Sequence, residues 1–150
     1  MALSREEARN IGKEAARRRL SSQCIEIGLN IESVREHAID PLHSHIYDYS
    51  VALSRAPSFG RSSKAAEVET KKHFLLQSIK RAQDAVKQTI IDTGYVTPED
   101  GSILTSRLQE LPNVIERGNI LVALNDVEEI SDALFHLMLE KVVDCECSKK

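Results

Sequence analysis

Leu20, Cys24, Ile27, Ile31, Val34 and Ala38 follow one another at intervals of four, three, four, three and four residues. Only an α-helix gathers such a series onto one side. A second series, Val68, Lys72, Leu75, Ile79, Ala82, Val86 and Ile90, repeats the spacing with one lysine in it. Two long helices with seams able to pack together are therefore predicted.

Local signals set the expected boundaries. Ser4-Arg5-Glu6-Glu7 has the form of a capping box, so the first helix is placed from about Arg5 to Ala38, roughly 50 Å at 1.5 Å per residue. Gly28 and Asn30 are its weak points. Asp40-Pro41 predicts either a kink or a fresh start, because proline disfavours helical geometry before it yet suits the first helical position. Leu42, Ile46, Tyr49 and Leu53 continue the periodicity. Residues 56–63, rich in Pro, Gly and Ser, read as a connector. The second long helix then runs from about Lys64 to Asp92, with Gly94 as its left-handed stop. Thr97-Pro98-Glu99-Asp100 restarts a helix, expected to be short because Gly101 and Pro112 bracket it. Beyond Val114, Ile120, Leu124, Val127, Leu134 and Leu137 predict one helix bent at Asn125 or two shorter ones. No stretch alternates convincingly between apolar and polar residues. The expected fold is an all-α helical bundle of four to five helices with two long antiparallel helices as its spine. It is expected to form a single domain over 1–150, with a short polar tail from about residue 145.

Composition agrees with a folded chain of this kind. Hydrophobic residues make up 41% and charged residues 29% of the 150 positions, so wholesale disorder is excluded. Aromatics are 4% with no tryptophan, which leaves the core to aliphatic side chains and disfavours any function built on stacked bases. A net charge of -3 argues against a generally basic nucleic-acid binder. No apolar run approaches the length of a membrane span. The N-terminus turns charged at once, so no secretory leader is expected. Three cysteines cannot all pair within one chain; Cys24, inside the ladder, is read as a small hydrophobe in a reduced, cytoplasmic protein.

Four constellations bear on function. Arg5, Arg9, Lys13 and Arg17 form a basic stripe, extended by Arg18 and Arg19. Six bases stand against three acids over residues 5–19, a pattern able to follow phosphates. From Ile120 onward seven acids outnumber three lysines, so the chain starts basic and ends acidic. His37, His43 and His45 lie near Asp40 and Asp48, but His43 and His45 are splayed by about 200° on a helix, and no Glu-x-x-His pair of the kind bundle metal sites use occurs. Cys145-x-Cys147 is half a metal site at most, and reads as an accessible, oxidisable tail. Gly-rich phosphate loops, His-Glu-x-x-His and Gly-x-Ser-x-Gly are absent from the sequence.

These readings predict a non-catalytic interaction or assembly subunit. It is expected to form a homo-oligomer or dock a protein partner through the seam Leu20, Cys24, Ile27, Ile31 and Val34. A rod near 50 Å outruns a core whose radius of gyration should be about 15 Å, and exposed seam calls for cover. The alternative is nucleic-acid binding through Arg5, Arg9, Lys13, Arg17, Arg18 and Arg19. A metal-dependent bundle enzyme comes third. No cofactor, metal or membrane is expected.

Overall fold

Pro41 does not end the first long helix. α1 (Ser22–Val34) passes through a π-helical turn (Arg35–Ile39) into α2 (Asp40–Arg55), forming one rod about 50 Å long. In a regular α-helix the ring of Pro41 would press on the carbonyl of His37, four residues back. Here the Asp40 N–H bonds to the Arg35 carbonyl, five residues back, and the wider turn takes up the misfit. The computed structural model describes residues 4–10, 22–55 and 62–147, and no strand occurs among them.

α3 (Ser62–Val86) continues through a second π turn (Lys87–Ile91) and stops at Gly94, whose φ of 78° is the left-handed conformation. The Gly94 N–H bonds to Ile91 and the Tyr95 N–H to Ile90, so both freed carbonyls are satisfied. α4 (Pro98–Glu116) starts where the sequence predicts: Thr97 accepts from the Asp100 N–H at 3.2 Å, with Pro98 at the first position and Glu99 and Asp100 in the first turn. It is not short, however. It runs straight through Gly101 and Pro112. The carbonyl of Leu108, deprived of its donor by Pro112, accepts instead from Gln83 Nε2 on α3 at 3.1 Å. α5 (Ile120–Cys147) is a single helix with no break at Asn125, and it carries Cys145 and Cys147, expected in a polar tail, within its last turn.

The rods run up, down, up, down. His43 lies beside Glu128 while Cys24 lies beside Cys145, so the first rod is antiparallel to α5. Lys72 faces Glu116 and Gln83 faces Leu108, which sets α3 against α4 in the same way. Their inward ladders form one core, with Ile31, Ile46, Leu75, Ile79, Leu108 and Leu134 essentially excluded from water. Every apolar member of the α3 ladder from Leu75 to Ile90 is buried, and Val68 and Lys72 are half-buried. Burial of a side chain of this size contributes about 2 kcal/mol.

One expectation about the rods is corrected. A straight helix from Arg5 to Asp40 would separate them by about 50 Å. Instead both line one groove of about 320 Å³ together with His43 and Glu128. Arg5 and Asp40 are therefore not the ends of one straight rod, and residues 11–21 between the two helical segments lie outside the described residues. Helical residues 5–10, begun by Ser4 accepting from the Glu7 N–H, lie back against the body with Ala8 buried. A projecting rod would have left such apolar positions in water.

Candidate functional site

α5 has two working sides, and they are built differently. The side toward α1 is closed. Gly28 lets the two helices approach so nearly that a Cβ there would meet Val142 Cγ2 at 2.8 Å. One turn away, Cys24 and Cys145 form a disulfide with a Cα–Cα distance of 5.6 Å. Cys24 is thus a buried half-cystine rather than a free core thiol, and Cys145 is anchored rather than oxidisable tail; Cys147 is the exposed free thiol among the described residues. Nothing in the local pattern marks this pair, because 121 residues separate its members.

Further along, Arg35 is buried where the π turn begins. Its Nε sits 3.1 Å from both carboxylate oxygens of Glu32, and Nη2 also bonds Glu32. Nη1 lies 3.4 Å from Ser131 Oγ and 3.7 Å from Asp40 Oδ2, and the Ser131 hydroxyl donates to Asp40 at 2.5 Å. The ring of Phe135 faces the guanidinium, 4.6 Å from its carbon. Burial opposes the Arg35 charge, but the hydrogen bond and charge of Glu32, reinforced by Asp40 and Glu36, outweigh it. Arg35 therefore holds its proton more tightly than an ordinary arginine. These partners all belong to the chain itself, so this cluster locks the first rod to α5.

The side of α5 toward α4 is open. Between the two helices runs a groove of about 280 Å³ with an apolar floor of Val96, Leu104 and Leu137. Ile103 stands beside it with 54% of its surface exposed, although the α4 ladder Leu104, Leu108, Leu111 and Ile115 is buried. Ile103 lies one residue, or 100°, off that ladder, a displacement visible in the sequence. Asp100, His136 and Glu140 edge the groove at one end. At the other, Arg107 reaches across to Glu129 at 2.8 Å, and Glu129 also accepts from Asn125 at 3.2 Å. Burial, then repulsion from Glu129, raises the Asp126 carboxyl above its ordinary value in spite of Arg107. Residues 98–147 hold eleven acids against three bases, so this hairpin carries an excess of eight negative charges.

The residues singled out from sequence fall as follows. Cys24, Ile31 and Val34 are buried by the chain's own helices, Ile27 is half-buried, and Leu20 lies outside the described residues. The expected seam thus faces α5 and the second π turn rather than open solvent. Of the basic stripe, Arg5 lines the groove beside Asp40 and Glu128, Arg9 is exposed, and Lys13, Arg17, Arg18 and Arg19 lie outside the described residues. The histidines do not converge: His43 Nε2 is 3.3 Å from Glu128, His45 packs edge-on against Phe74 at 4.8 Å, and His37 is exposed in the first π turn. Among the described residues no three His, Cys, Asp or Glu side chains are grouped to hold a metal ion. Among the described residues no helix is long and apolar enough to cross a membrane.

The arrangement defines an all-α, up-and-down bundle with an open apolar groove between α4 and α5. No protein-family model, curated protein or solved structure matches this chain.

Proposed function

We propose that the chain is a non-catalytic interaction or assembly subunit whose binding face is the outer groove between α4 and α5. One observation carries the reading: Ile103, a large aliphatic side chain, is more than half exposed above an apolar floor, while among the described residues every buried side-chain N or O atom has a hydrogen-bond partner. Binding faces commonly centre on an apolar anchor within a polar rim. A larger groove of about 390 Å³ between α2 and α3 offers no comparable anchor. Two acids, Asp48 and Glu67, and two bases, Arg55 and Lys71, line it, so its charge is balanced.

The test is size fractionation of the chain at its native level in its own cell. It should travel above its monomer mass of 16.8 kDa. Ile103→Asp should return it to the monomer position without lowering its thermal midpoint. Monomeric migration of the wild type, or a larger species unaffected by the substitution, contradicts the proposal.

A further inference from the structure

We infer that the groove between α4 and α5 receives a basic amphipathic helix from a protein partner, one that sets aliphatic anchors into the floor and Lys or Arg against the rim. The inference rests on the function proposed above and adds the chemistry of the occupant. Its first support is shape. Asp100 and Arg107 lie seven residues apart on α4, about 10 Å, which spans two turns of a docked helix and accepts anchors at i and i+4 or i+7. Val96, Leu104 and Leu137 form a floor that holds side chains of leucine size, and Ile103 forms a wall against them.

The second support is charge. Arg107, the one arginine or lysine among the residues lining the groove, is already paired with Glu129, and His136 is the other basic side chain there. Among the described residues neither Asp100 nor Glu140 has an ion-pair partner, and both are exposed at the open end. The hairpin as a whole holds eleven acids against three bases. An acidic or neutral helix would set like charges together or leave these carboxylates uncompensated. A basic helix meets them, and the same field speeds its approach. A purely aliphatic partner would have no use for that rim.

The experiment uses the full chain and two synthetic 14-residue helical peptides. One has leucine at i, i+3, i+4 and i+7 with lysine elsewhere; the other replaces each lysine with glutamate. Binding is read by calorimetry at low and at moderate salt. The lysine peptide should bind about tenfold or more tighter than the glutamate peptide, and added salt should weaken it. Asp100→Lys with Glu140→Lys should abolish the preference, and Ile103→Asp should weaken binding about tenfold. Glu67→Lys, on the α2–α3 side, should change neither.

Equal affinity for the two peptides, no binding at about 1 mM, or binding indifferent to Ile103→Asp overturns the inference. So does sedimentation showing that the chain alone dimerises through Ile103, since the occupant is then a second copy. If the native complex is lost on Ile103→Asp while the peptides bind alike, the assembly function stands and only the basic partner falls.

Discussion

The two sides of α5 differ in what they do with polar groups. Toward α1, Arg35, Glu32, Asp40 and Ser131 answer one another across the helix interface, next to a glycine-permitted close approach and a disulfide. Toward α4, the acids Asp100 and Glu140 edge a groove that none of the described residues fills. A satisfied polar cluster fixes one arrangement of helices, whereas an apolar groove edged by unpaired carboxylates can accept a complement. The lesson is that titratable side chains drawn together in a helical protein need not mark chemistry. Here the densest cluster fastens the fold, and the proposed binding surface lies elsewhere.

The comparison can be broken on the closed side first. In a Cys147→Ser background, Cys145→Ser opens a loop of 121 residues. It should lower unfolding free energy by about 4 kcal/mol, read by urea titration, with dithiothreitol producing the same loss in the parent and none in the variant. Arg35→Leu leaves Glu32 and Asp40 facing each other without their cation, and should cost about 3 kcal/mol with helix content unchanged by circular dichroism. Gly28→Ala sets a Cβ against Val142 Cγ2. Overpacking there should exceed the gain in helix propensity, for a net loss of about 1 kcal/mol that Val142→Ala largely recovers.

The smallest effect belongs to the open side. The folded Asp126 carboxyl holds its proton to higher pH than the unfolded chain does. Its contribution to stability is therefore most favourable below the ordinary carboxylate pKa of 3.8 and is lost as pH rises through the raised folded value. Asp126→Asn should add about 0.5 kcal/mol or less at neutral pH and nothing in acid, measured by thermal unfolding across that range.

Much of the fold was legible because it rests on periodicity and local caps. The α3 ladder, the stop at Gly94 and the start at Thr97 all follow from short-range chemistry. What was not legible depends on groups distant in sequence. Pro112 reads as a boundary until Gln83, from another helix, supplies the donor that Leu108 lacks. Pro41 reads as a kink or restart until the π turn absorbs it. The Cys24–Cys145 pair has no local signature at all. For the groove a signal existed: Ile103 stands one position off the buried ladder of α4, and the acids gather in the same half of the chain. Sequence spacing placed the interface on the seam of α1 because an apolar stripe looks the same whether its complement comes from the same chain or another.

Both sides of α5 pack against neighbouring helices, but the Arg35 cluster holds the fold whereas Ile103, at the outer edge of the α4–α5 groove, does not. Urea unfolding of Ile103→Asp beside Arg35→Leu tests this most directly. The predicted result is an unchanged midpoint for Ile103→Asp and a fall of about 1 M or more for Arg35→Leu. Comparable losses in the two variants would show that Ile103 supports the fold as Arg35 does, and would contradict this division of roles.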